Sequence, residues 1–234
     1  MAETIYRGYL INKYPYQIFD EVVTFLIGNG CRIACLSKGS RKISSKNARH
    51  LFLGAYTEFE IFQSRHDDKL SRLKKVTTID PINWNYEILT SFNLLNECTL
   101  KANINRKTLF DFYHLNLELI VKKGYNEKLL ILIILEQFIN LLGHNLAVNY
   151  CIKCHNRKLK TVSFKDHGML CNLCFDPQKD KYYELDVSKT IHYLFNREYD
   201  ELNKYYQCFD FVIKLLHLYI DDNSGIKLQS LQNY

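Results

Sequence analysis

Two Cys-x-x-Cys pairs constrain this chain more than any other feature: Cys151-Ile-Lys-Cys154 and Cys171-Asn-Leu-Cys174, with residues 155 to 170 between them. Two intervening residues let each pair form a tight knuckle with both sulfurs turned inward, and the connecting stretch is long enough for a short hairpin to close a tetrahedron. The spacing is that of a four-thiolate zinc site. Four thiolates leave no open coordination position, so the expectation is one structural zinc per chain, which folds the polypeptide and activates no water. Cys154 is followed by His155, so the same stretch also spells the C-x-x-C-H of covalent haem attachment. That alternative leaves Cys171 and Cys174 without a role. It also requires export, and Met1-Ala-Glu-Thr-Ile-Tyr6 has neither the basic nor the apolar stretch of a secretory signal. A cytoplasmic location is therefore expected, and Cys31, Cys35, Cys98 and Cys208 are read as small apolar filler in a reducing compartment.

The 234 residues suit one large or two small domains with a real core, and two are preferred. The longest apolar run, Leu129 to Leu135, is followed by Glu136, Gln137 and Asn140, which reads as a buried helix and not a membrane span. The 17 tyrosines accompany abundant Lys, Asn and Ile, a pattern attributed to AT-rich coding, so no single tyrosine reads as a base-stacking platform. The net charge of +6 is uneven: residues 1 to 80 hold 13 Lys and Arg against 8 Asp and Glu, and the remainder 18 against 17. Any polyanion-binding surface is expected in the first third.

Thr4 to Asn12, Glu21 to Ile27, Cys31 to Leu36, Tyr56 to Phe62 and Leu73 to Ile79 read as short strands, with Gly28-Asn29-Gly30 as a turn. Five of them in eighty residues predict a small β-barrel. Between the third and fourth lies a hydrophilic segment carrying Lys38, Arg41, Lys42, Lys46 and Arg49, and no acidic residue occurs from Val22 to Thr57. The small residues Gly39, Ser40, Ser44 and Ser45 would let a phosphate backbone approach, with their hydroxyls and N–H groups as extra donors. A mobile solvated loop is the competing reading, and the exclusion of acids favours contact with a polyanion.

Asp80-Pro81 marks the boundary to a helical domain, 81 to 234. Helices are predicted over Glu87 to Leu100, Lys107 to Lys123 with Gly124 as C-cap, Glu127 to Leu142, Val187 to Tyr206 and Cys208 to Ile220. The cysteine module, 150 to 177, carries Lys153, Arg157, Lys158, Lys160 and Lys165 against Asp166. Zinc with four thiolates is itself net −2, so this basic excess either neutralises the site or forms a second nucleic-acid surface. Both readings stand. No P-loop, His-Glu-x-x-His, zinc-deaminase signature or Gly-x-Ser-x-Gly elbow occurs, and a non-enzymatic protein is expected.

Taken together, Gly8-Tyr-Leu-Ile-Asn12, Asp20-Glu-Val-Val-Thr-Phe-Leu26, Lys38-Gly-Ser-Arg-Lys-Ile-Ser44, the four cysteines and Gly225-Ile-Lys-Leu-Gln-Ser-Leu231 resemble the RecO family of bacterial recombination mediators. The resemblance implies an α+β protein with an N-terminal OB-fold barrel and a helical domain with an inserted four-cysteine zinc module. It further implies binding of single- and double-stranded DNA, strand annealing, recombinase loading, and partnership with RecR and single-stranded DNA-binding protein. By resemblance and charge together, DNA contact is expected at Lys38, Arg41, Lys42, Lys46 and Arg49, with Lys74 and Lys75 beside them. The closing segment lacks a basic residue after Ser230, unlike the family pattern. An RNA-binding accessory module and an interaction scaffold without nucleic-acid activity are the rival readings.

Overall fold

In a computed structural model, residues 3–64, 69–82, 88–122 and 124–232 are described. Glu87 and Lys123, expected termini of two helices, lie outside them. The chain divides into two compact units, one comprising Met1–Tyr86 and Thr99–Lys123 and the other Glu87–Cys98 and Gly124–Tyr234. The expected boundary at Asp80-Pro81 coincides with the end of the fifth strand, and the stretch from Thr99 groups with the barrel.

In the first unit, β1 (Glu3–Pro15), β2 (Glu21–Ile27), β3 (Arg32–Ser37), β4 (Tyr56–Phe62) and β5 (Ser71–Asp80) close a barrel in the order β1-β2-β3-β5-β4. This is an OB-like arrangement. β1 is long enough to serve two neighbours: Glu3 to Tyr9 pair with β4, and Gly8 to Pro15 pair with β2 across an irregularity at Leu10 to Asn12. Closure between β3 and β5 is thin: among the described residues it is a parallel ladder of Cys35 with Ser71 and Leu36 with Arg72.

Alternation along the strands fills the interior. Val23, Phe25 and Ile27 of β2 meet Leu10, Phe59, Ile61, Leu73 and Val76, and the Phe25 and Phe59 rings stack at 3.9 Å. The outer residues Val22 and Leu26 are also buried. The β2–β3 turn ends at Gly30, whose φ of +84° and a backbone approach from Arg106 leave no space for any Cβ.

Two helices follow the barrel, α1 (Leu89–Lys101) and α2 (Lys107–Lys122). Apolar residues at helical spacing, Leu109, Phe112, Tyr113, Leu117 and Ile120, bury one face of α2. On the barrel, Tyr9 packs against Phe110 and Tyr113 and bonds His114 Nδ1 through its hydroxyl at 2.6 Å. The Arg32 guanidinium donates to the carbonyls of Thr99, Leu100 and Ala102 at 2.8 to 3.0 Å and to Asn105 Oδ1. These are carbonyls at and beyond the end of α1, which has no further helical turn to bond them.

The second unit is built on α3 (Glu127–Leu142), in which every residue from Leu129 to Glu136 is buried. The Asn126 side chain caps its start by accepting the Leu129 N–H, and Gly143 ends it in left-handed geometry. α3 packs against α4 (Leu185–Phe195) and α6 (Phe209–Ser224). The single helix expected over Val187 to Tyr206 is broken. α4 stops where Asn196 makes a reciprocal amide pair with Asn149, and Arg197 turns left-handed at φ +61°. α5 (Tyr199–Leu202) and a 3-10 stretch carry the chain onward to α6.

The tail does not fray. Leu228 and Leu231 are buried, and the Glu97 carboxylate accepts from the N–H groups of Gln229 and Ser230 and from the Ser230 hydroxyl.

Candidate nucleic-acid surface and metal centre

The β3–β4 connection is anchored at both ends, so it is not a free solvated loop. Its first half folds over the β1–β2 turn. The Gly39 N–H donates to Asp20 Oδ1 at 2.7 Å and the Ser40 hydroxyl to Glu21 Oε2 at 2.9 Å. Arg41 donates from its backbone to Phe19 O and from its guanidinium to Ile18 O, and Lys42 Nζ stands 5.1 Å from the Phe19 ring centroid. The second half lies along β5. There the Asn47 side chain bonds Lys74 O and accepts the Val76 N–H, while His50 Nδ1 accepts the Thr78 N–H. His50 is held below the usual histidine pKa by burial and by the charges of Arg49 and Lys75.

Lys38, Arg41, Lys42, Lys46 and Arg49 are all exposed, as is Lys75 on β5. Lys74 differs. Its ammonium lies 2.7 Å from Glu3 and 2.9 Å from Glu60, so its charge is already met. The acid-free reading of the segment holds along the chain but not in space, because Asp20 and Glu21 sit against its first turn. Those two carboxylates occupy the Gly39 N–H and the Ser40 hydroxyl, and Ser40 is buried. Neither group remains a spare donor for phosphate, contrary to expectation.

One feature of this surface escaped the sequence reading. Gln17 to Asp20 together with Lys38, Gly39 and Lys42 line an open hollow of about 660 Å³, with Ile18 79% and Phe19 49% exposed. The adjacent pair Ile18-Phe19, between Gln17 and Asp20 in a turn, was the available signal, obscured by the general aromatic richness of the chain. Cations beside an exposed ring are the elements of a single-strand platform.

The cysteine module is a three-stranded sheet in the order β6-β8-β7, from β6 (Ala147–Cys151), β7 (Leu159–Ser163) and β8 (Gly168–Cys171). β7 and β8 form the hairpin between the two cysteine pairs. Each pair then closes its own turn, with the His155 N–H donating to Cys151 O at 2.8 Å and the Phe175 N–H to Cys171 O at 3.0 Å.

The four sulfurs lie within 4.8 Å of one another, and Cys154 and Cys171 approach to 3.5 Å. A tetrahedral zinc with bonds of about 2.3 Å requires sulfurs about 3.8 Å apart, so this donor set fits the ion. Cys151 is drawn down to about 6: burial opposes the thiolate, but N–H groups of Cys171, Lys153 and Cys154 favour it more. All four cysteines converge, whereas covalent haem would engage Cys151 and Cys154 alone. When bound, zinc would lock both turns and the hairpin into one unit.

Some of the module's cations have partners and some do not. Lys153 lies 3.3 Å from Asp166 and 3.7 Å from Asp180, Lys179 pairs with Asp176, and Lys160 stands over Phe175. Arg157 and Lys158 are exposed and pair with no carboxylate among the described residues.

An OB-like barrel with a cation-bearing connection, joined in one chain to a helical unit holding a four-cysteine cluster able to bind a metal ion, defines the class. The family model for the C-terminal part of recombination protein O matches residues 92–231, more than half of the chain. The chain belongs to the recombination protein O family. Curated relatives include the DNA repair protein RecO of Mycoplasma mycoides, 25% identical over 185 residues, covering 75% of this chain and 73% of the relative. The proteins of that name from Mesoplasma florum and Listeria welshimeri are 22% and 23% identical, over 97% and 96% of this chain and 88% and 91% of theirs. Among the described residues no helix is long and apolar enough to cross a membrane.

Proposed function

We propose that this chain is a DNA-binding recombination mediator of DNA repair. It binds single- and double-stranded DNA, anneals complementary strands and helps to load a recombinase, acting with RecR and single-stranded DNA-binding protein in the cytoplasm. It performs no bond-making chemistry of its own, and one structural zinc holds the cysteine module. Residues 1–80 form the nucleic-acid-binding domain. The observation that carries this reading, beyond family membership, is the anchored β3–β4 connection with its five exposed cations.

A strand held through its phosphates keeps its base edges free to pair with an incoming strand, which is what annealing requires. Lys38, Arg41, Lys42, Lys46 and Arg49 are the contacts, with Lys75 beside them and Lys74 reduced to a bystander by its two carboxylates.

Measuring single-strand binding and annealing across a salt series tests the reading. With about five cations engaged, log K should fall against log salt with a slope of about −3.5. Lys38→Ala, Arg41→Ala and Lys42→Ala combined should flatten the slope to about −1.4, whereas Lys74→Ala should leave it unchanged. A parent protein that binds no DNA, or prefers RNA of the same sequence, would remove the proposal.

A further inference from the structure

The cysteine module carries a constellation that its own packing does not use. Tyr150, one residue before the end of β6, is 41% exposed, and its ring lies 5.2 Å from that of His155 with the planes 38° apart. His155 holds φ +59°, a left-handed region disfavoured for a residue bearing a Cβ. The turn imposes that angle: the Cys151 carbonyl accepts the His155 N–H, and the Cys151 N–H reaches Asn156 O at 2.8 Å. Glycine would satisfy this geometry without penalty. The chain instead places an imidazole there, against an exposed phenol.

Asn149, Tyr150, His155 and Arg157 line an open hollow of about 420 Å³. Asn149 is fixed by its two-way amide pair with Asn196, so this wall of the hollow is rigid and its polar edge is satisfied. Arg157, Lys158 and Lys165 are the module's exposed cations that make no ion pair with a carboxylate among the described residues, and of these Arg157 lines the hollow. Lys153 by contrast is paired with two aspartates, and Lys160 stands over the Phe175 ring. Arg157 has no such partner, and it faces the hollow.

We propose that Tyr150, His155 and Arg157 form a contact for one unpaired nucleotide, the base stacking on the Tyr150–His155 rings and the Arg157 guanidinium meeting its phosphate. Flat aromatic faces beside a free guanidinium match a base and its phosphate. The rings offer no enclosed apolar well for a peptide side chain, and a duplex keeps its bases stacked inside. The occupant is therefore single-stranded. This inference rests on the reading of the chain as a DNA-binding mediator, and it assigns to the metal module a selectivity that phosphate contacts alone lack.

The test uses the full-length zinc-loaded protein with a fluorescent oligothymidylate, a duplex control, and the same oligonucleotide carrying 5-bromodeoxyuridine for photocrosslinking. Tyr150→Leu should weaken single-strand binding by roughly five- to a hundred-fold, the range for loss of one base–aromatic stack, and leave duplex binding unchanged. Tyr150→Phe should bind as the parent does. Arg157→Gln should make the salt slope shallower by about 0.7, and the crosslink should map to the peptide containing Tyr150.

Single-strand binding at parental strength in Tyr150→Leu and Arg157→Gln, each with one zinc per chain and with crosslinks only in the barrel, would overturn this inference and leave the mediator reading intact. Absence of any DNA binding by the parent would end both. Should Tyr150→Leu lose its metal, the crosslink on the unsubstituted protein and the Arg157→Gln slope decide.

Discussion

Arg32 and Glu136 show how much single polar side chains weigh in this chain. Arg32 satisfies three carbonyls at and beyond the end of α1 and the Asn105 side chain. Arg32→Ala leaves those carbonyls short of donors and should destabilise the first unit by about 2–4 kcal/mol, read as a lowered urea midpoint. Glu136 is buried on α3. It accepts from Asn140, lies 3.8 Å from Arg197 Nε with Tyr199 nearby, and leaves Oε2 without a partner. Burial lifts its pKa to about 7, against the opposing pull of Arg197 and Asn140. Between the ordinary carboxylate range and about pH 7 the folded chain thus keeps a proton that the unfolded chain has released. Stability should fall as pH rises through that window and stay flat above it, by up to about 3 kcal/mol. Thermal melts from pH 4.5 to 8 should show this decline, and Glu136→Gln should abolish it.

Among the elements, the two knuckles and the β7–β8 hairpin depend most on something outside themselves. Apart from the cysteines, Leu170 is the buried residue at the core of this cluster, with Ile152, Leu159 and Phe175 packed partly against it. A core this small is one that a metal bound by the four sulfurs would hold together. Chelation at neutral pH should release one zinc per chain and lower the second unit's melting temperature. It should also remove protection of residues 147–175 from hydrogen exchange. This module was legible from spacing alone, because metal geometry fixes sulfur positions whatever surrounds them. The break after α4 was not: its apolar spacing continues as one helix, and what ends it is the pairing of Asn196 with Asn149, distant in sequence.

At the scale of the molecule, the strands, their order of appearance and the main helices could be read from alternation and spacing, and β2, β4 and α3 begin and end where the pattern put them. The basic connection was legible as a charge run. Its folded form was not, since whether a cation is free depends on partners that arrive from other strands, as Glu3 and Glu60 do for Lys74. Ile18 and Phe19 were hidden for a related reason: only the folded turn shows that they have no core to enter.

The two-rung seam between β3 and β5 matters in time as well as in space. The β1–β2 and β2–β3 ladders join neighbours along the chain, while the seam joins strands with all of β4 between them and forms at the greater cost of loop closure. The β1–β4 pairing closes a longer stretch but has seven rungs to offset it, so the two-rung seam should be the first part of the barrel to open. In native-state hydrogen exchange, amides at Leu36 and Arg72 should then exchange ahead of those at Val23 and Phe25, giving the closed barrel a breathing motion along one line.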